Sequence, residues 1–101
     1  MNKVAATIVR IYLTEGDKLL NSVMDYLHNE AKVRGVTVFR AINGFGKSGA
    51  MHSSSLLSMS FDLPLVIEFF DNPEKISKAL EHLIPLVGSQ HVVSWEAHCY
   101  K

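Results

Sequence analysis

Leu63-Pro64-Leu65-Val66-Ile67-Glu68-Phe69-Phe70, followed at once by Asp71-Asn72-Pro73, is the stretch that decides how this chain folds. Its β-branched and aromatic content reads as a strand, and Pro64 is tolerated near the strand start, where no ladder donor is required. Asn72 and Pro73 then open a helix. Asparagine at the N-cap accepts from an orphan backbone N–H, and proline at N1 has no donor to leave unsatisfied. Ile76, Ala79, Leu80, Leu83, Ile84 and Val87 continue as an apolar helical stripe, which Pro85 is expected to kink or end.

Outward from that junction, His91–Tyr100 (HVVSWEAHCY) predicts a closing strand. Val4–Leu13 (VAATIVRIYL) predicts an opening one, with Val9, Ile11 and Leu13 on one face and Ile8, Arg10 and Tyr12 on the other. After a turn at Thr14–Asp17, Leu20, Val23, Met24, Leu27 and Ala31 trace one face of a helix, which Gly35 is expected to stop as a C′ glycine. Val36–Ile42 (VTVFRAI) predicts a further strand, bounded behind by Asn43-Gly44. The order is βαββαβ. Right-handed crossovers then put both helices on one side of a four-stranded antiparallel sheet, an α+β, ferredoxin-like sandwich. On the uncovered face the alternation places Ile8, Arg10, Tyr12, Val38, Arg40, Val66, Glu68, Ser94, Glu96 and His98. Apolar residues mixed with balanced charge suit a surface that meets another copy of itself, so a cyclic homo-oligomer is expected.

At 101 residues with 48% hydrophobic content, the chain supports one core and one domain spanning 1–101. Ten Lys and Arg against ten Asp and Glu leave no surplus for general nucleic-acid binding. The apolar runs are far shorter than the roughly 20 residues of a membrane span. A single Cys excludes an intramolecular disulfide and suits a reducing, cytoplasmic setting.

Between the second and third strands lies Asn43–Ser60 (NGFGKSGAMHSSSLLSMS), eighteen residues of which nine are Gly or Ser, and no regular strand is expected in it. Structureless loops of that length in compact domains are functional or disordered. No Asp or Glu occurs from Ala31 to Phe61, while Lys32, Arg34, Arg40 and Lys47 supply a local charge of +4. Gly44-Phe45-Gly46-Lys47 sets two conformationally free residues beside a cation, a composition suited to an anion nest as well as to a plain turn. A P-loop is excluded, because Ala41 stands where the motif needs glycine. Met51, Leu56, Leu57 and Met59 make part of the loop apolar and suited to docking on a partner or covering its own core.

Gly35-Val36-Thr37-Val38 and Ile42-Asn43-Gly44-Phe45-Gly46-Lys47 resemble the second strand and T-loop base of PII signalling proteins. Val9-Arg10-Ile11-Tyr12, Gly44-Phe45-Gly46, His52, Leu56-Leu57 and Asp62-Leu63-Pro64-Leu65-Val66-Ile67-Glu68 resemble more closely the PII-like family grouped as domain of unknown function 190. The resemblance implies a homotrimer that holds adenine nucleotides as effectors in clefts between subunits. It implies a T-loop-like segment, 43–60, that signals to a membrane transporter or another target protein. Carried over by position, Gly35 and Thr37 would meet adenine, and Gly44, Gly46 and Lys47 would lie near phosphate, with Phe45 counted among the ligand-binding residues and Arg40 added on electrostatic grounds. Met51, His52, Leu56, Leu57 and Met59 form the expected partner-binding part of the loop. Two departures stand out. Val87-Gly88-Ser89-Gln90-His91 has no counterpart of the basic phosphate loop of PII proteins, and no tyrosine for uridylylation lies between Gly44 and Ser60.

An enzyme is not expected. His28, His52, His82, His91, His98 and Cys99 lack the short paired spacings of a zinc site. His52 stands beside Ser53, Ser54 and Ser55 with no orienting carboxylate in that loop, so neither a metal nor a catalytic group is assigned.

Overall fold

A computed structural model describes residues 1–14, 18–45, 63–101 and the backbone of 51–53. Strand β1 (Lys3–Thr14) leads to a short helix α1 (Leu20–Asp25), which continues as a π-helical turn over Tyr26–Ala31. Strand β2 (Gly35–Arg40), a small hairpin of β3 (Asn43–Phe45) and β4 (Met51–Ser53), and strand β5 (Pro64–Asp71) follow. Helix α2 (Pro73–Val87), a 3-10 turn at Ser89–His91 and strand β6 (Val92–Tyr100) complete the order. The main sheet runs β2-β5-β1-β6 with every pairing antiparallel, so the ferredoxin-like α+β sandwich is the fold of this chain.

Burial explains the arrangement. Val9, Ile11 and Leu13 from β1 and Ile67 and Phe69 from β5 point to the helices, where Val23, Leu27, Ile76, Ala79, Leu83 and Val87 close over them. These are the stripes expected from helical and strand periodicity. Asn72 caps α2 as its sequence indicates, its Oδ1 accepting from Lys75 N–H at 2.8 Å, with Pro73 behind it. Asn72→Ala is therefore expected to lower stability by about 1 kcal/mol, read as a lower urea midpoint at unchanged slope.

Four details differ from expectation. Helix α2 runs through Pro85 and ends at Gly88, whose φ of 95° closes the helix while its N–H donates to Ile84. Proline so near the C-terminus forfeits only one internal bond, which the packed stripe tolerates. The first helix stops at Ala31, and its left-handed cap is Lys32 at φ 53°; Gly35 instead starts β2 opposite Phe70. Part of the Asn43–Ser60 stretch forms the β3–β4 ladder, where a strand is not expected from composition.

The fourth difference concerns the open sheet face. Register pairs Val38 with Ile67, Arg40 with Leu65, and Ser94 with Val9, placing these side chains on the helix side. Glu96 and His98 lie on that side too, opposite Thr7 and Ala5. The open face carries Thr37 and Phe39 from β2 and Val93, Trp95, Ala97 and Cys99 from β6, beside the expected Ile8, Arg10, Tyr12, Val66 and Glu68. It is more apolar than polarity alone indicates.

On the outer side, Tyr26 stacks on His82 with ring centroids 3.9 Å apart and planes within 8°, clasping the π turn to α2. Burial first, then the charges of Glu30 and Glu81, raise the Tyr26 pKa above the ordinary tyrosine value. The folded state thus holds this proton more tightly than the unfolded chain. The associated stability is present in full below the unfolded tyrosine pKa of about 10 and is lost as pH rises through the folded value. Urea unfolding across pH 9 to 11.5 is expected to show this decline, and Tyr26→Phe to remove its Tyr26 component.

Candidate functional site

Strand β2 is an edge of the main sheet, so among the described residues one row of its backbone N–H and C=O groups faces away from β5 without a strand neighbour. Its start is anchored firmly. Asp71 accepts from the Arg34 N–H at 2.9 Å and the Asn72 N–H at 2.7 Å, and Lys75 Nζ lies 3.5 Å from the same carboxylate. Lys75 Nζ also donates to the Lys32 carbonyl at 2.8 Å. These contacts tie the π turn, β2 and the head of α2 together, holding Gly35 at a fixed corner.

From that corner Gly35, Thr37 and Phe39 follow one another along the open face, while Arg40 points to the helix side. Ala41 N–H still bonds to the Pro64 carbonyl at 2.9 Å, and the chain then turns into the hairpin. Gly44 lies in β3 opposite His52, and a Cβ there would sit only 3.2 Å from Pro64 Cγ. Close approach explains glycine at this position. Gly88 is the sole glycine with positive φ among the described residues, so close approach rather than a left-handed backbone accounts for Gly44. Ile42 and Phe45, 78% and 68% exposed, flank the hairpin start. Gly46, Lys47, Leu56, Leu57 and Met59 lie outside the described residues, as do the side chains of Met51 and His52.

The expected site residues therefore divide into two groups. Gly35 and Thr37 sit near the Phe70 end of β5, and Gly44 sits against Pro64. Phe70 lies six positions from Pro64, roughly 20 Å, and Glu68, opposite Thr37, lies four positions from it, roughly 13 Å, too far for one base or one phosphate to touch both groups. Alternation already sets Arg40 on the face opposite Thr37; which of the two is the helix side required the register with β5.

The sequence reading assigned no role to a cluster at the centre of the open face. Arg10 Nε donates to Glu68 Oε1 at 2.7 Å, and its Cζ lies 5.9 Å from the Phe39 ring centroid and 5.8 Å from that of Trp95. Hydrogen bonding to Glu68 first and Tyr12 second raises the guanidinium pKa further, so the group is cationic wherever the fold persists. The cross-strand pair Arg10–Glu68 could be found from register, but Phe39 and Trp95 required the correct face of each edge strand.

The chain matches the DUF190 family, described as Uncharacterized ACR, COG1993, over residues 6–99. It belongs to that family. A UPF0166 protein of Methanocaldococcus jannaschii is 31% identical over 104 residues, covering 97% of this chain and 94% of the relative. A UPF0166 protein of Aquifex aeolicus is 36% identical over 87 residues, covering 82% and 83%. Among solved structures, the chain is similar to CPII of Thiomonas intermedia K12, a nitrogen regulatory PII-like protein bound to ADP, AMP and bicarbonate. That match has a TM-score of 0.76 at 21% identity and covers 99% of this chain and 92% of the other. At that identity it is the PII-like fold that the two share.

Proposed function

We propose that this DUF190 chain is a non-catalytic, cytoplasmic PII-like regulator. It binds a small anionic effector, an adenine nucleotide, in clefts between the subunits of a homotrimer, and acts on a protein partner through the 43–60 loop. The observation that carries this reading is the division of the site. An edge strand offers backbone hydrogen-bonding groups beside Gly35 and Thr37, and Gly44 lies roughly 13 to 20 Å from them along β5, a span that a nucleotide lying along the edge, with a second copy closing over it, would bridge. The ADP and AMP carried by CPII support the ligand class, because that protein shares this fold. The apolar open face supports self-association. No helix among the described residues is long and apolar enough to cross a membrane.

The exposed Ile42 and Phe45 at the hairpin start favour a second reading, an effector-independent trimeric module that docks constitutively on a membrane transporter. Thermal unfolding with ATP, ADP and AMP separates the two. A nucleotide at 100 times its dissociation constant is expected to stabilise the fold by about 2.7 kcal/mol, whereas a flat response to all three favours the second reading. Lys47→Glu is expected to abolish the nucleotide shift without altering assembly, and an unchanged affinity removes Lys47 from the site.

A further inference from the structure

The Arg10 cluster takes one residue from each strand of the main sheet: Phe39 from β2, Glu68 from β5, Arg10 from β1 and Trp95 from β6. Around it the open face is largely aliphatic or aromatic, with Ile8, Val66, Phe70 and Val93 nearest in the register. Such a surface is sticky but poorly directional, since apolar contacts change little when one sheet slides over another. The ion pair is different. Arg10 and Glu68 remain 40% and 29% exposed at the side chain, so any body covering the face removes both from water. A guanidinium has five N–H donors; the Nε bond to Glu68 uses one and Tyr12 accepts from the same group. A partner must present acceptors to the rest, or a charge is left buried without full pairing.

We propose that the Arg10–Glu68 pair, clamped between Phe39 and Trp95, is the specificity determinant of self-association, fixing the register and number of copies that meet through the open sheet face. The inference rests on the self-association reading above and adds which residues set its geometry. The occupant is a second copy of this chain for two reasons. The pair neutralises itself, leaving no net charge to attract the phosphates of a nucleic acid. The face also measures about 19 Å across four strands and about 26 Å along eight residues, roughly 500 Å² in plan before side-chain relief. That approaches the ~800 Å² per partner of a stable interface. A second copy brings its own Glu68 and backbone carbonyls within the same apolar setting, so acceptors for the spare donors occur only in particular registers.

The test is analytical ultracentrifugation of the full chain and of Arg10→Met, Glu68→Gln and Arg10→Met/Glu68→Met, with circular dichroism confirming the fold of each. Wild type is expected to form one discrete oligomer. Each single variant leaves an uncompensated group in the interface and is expected to weaken assembly at least tenfold. The double variant should regain association but spread over several stoichiometries, because the apolar face no longer has a preferred register. Glu68→Gln keeps size and shape, so it reads the charge even if a methionine variant fails to fold. Single variants that assemble as wild type, or a double variant with the same single species, would overturn the specificity role while leaving self-association standing. A wild type that is monomeric at all concentrations, including one that instead binds single-stranded RNA on this face, would overturn both.

Discussion

Trp95→Asp is expected to convert the proposed homotrimer to a folded 11.3 kDa monomer. Trp95 lies on the open face, 42% exposed in the single chain, with its ring against the Arg10 guanidinium. Aromatic anchors of this kind carry 2 kcal/mol or more at interfaces, about a 30-fold change in affinity for each contact. In a closed ring every copy contributes such a residue, so the effect is repeated at each junction. An aspartate there would also place a second carboxylate near Glu68. Because Trp95 contributes little to the helix-side core, circular dichroism should be retained. Light scattering that still returns the assembled mass would place the subunit contacts elsewhere on the molecule.

The second large effect concerns the monomer itself. Phe69→Ala is expected to cost about 3–5 kcal/mol of unfolding free energy. Phe69 is fully buried and the largest such side chain in the core, opposite Val9 on one side and Val36 on the other. Its removal leaves a cavity that the two helices cannot close without abandoning the Ile76 and Leu83 contacts. Against the 5–15 kcal/mol that holds a typical domain, the variant should unfold at a much lower urea concentration. Phe69→Leu keeps most of the volume and should cost under about 1.5 kcal/mol. Equal losses in the two variants would mean that the cavity is not what sets the cost.

The two central strands were legible because their residues obey a strict inside-outside rule. In β1, Val9, Ile11 and Leu13 are buried while Arg10 and Tyr12 face outward, since helices cover one side along its middle. The edge strands break that rule. Ser94, Glu96 and His98 are exposed on the helix side because β6 overhangs the helical layer. Polarity at those positions therefore reports missing cover rather than the open face. Val38 and Arg40 show the same effect at the opposite edge, where β2 extends past the helices.

Other features were hidden for local reasons. The Asn72-Pro73 start of α2 is written in residues whose side chains make the cap, so it could be read directly. The left-handed conformation of Lys32 has no such signature in its residue type; it follows the π turn, and Lys75 bonds to its carbonyl. The β3–β4 ladder brings together segments poor in strand-forming residues, so pairing across the loop outweighs composition. Of the candidate site, the strand that carries Gly35 and Thr37 was legible, and its edge position came with the sheet order. The separation of Gly35 from Gly44 did not, because it depends on how far the chain travels along β5 before the hairpin begins.

The strand order has a bearing on biosynthesis. Strand β1 occupies an interior position, yet both of its neighbours, β5 and β6, are translated long afterwards, and Arg10 meets Glu68 from 58 positions away in the chain. A ribosome-bound nascent chain thus carries a largely apolar strand with both hydrogen-bonding rims vacant until the second half emerges. Contacts so distant in sequence slow folding, and vacant rims invite pairing between neighbouring nascent chains. Production of this protein should therefore be more sensitive to translation rate and chaperone supply than its small size suggests.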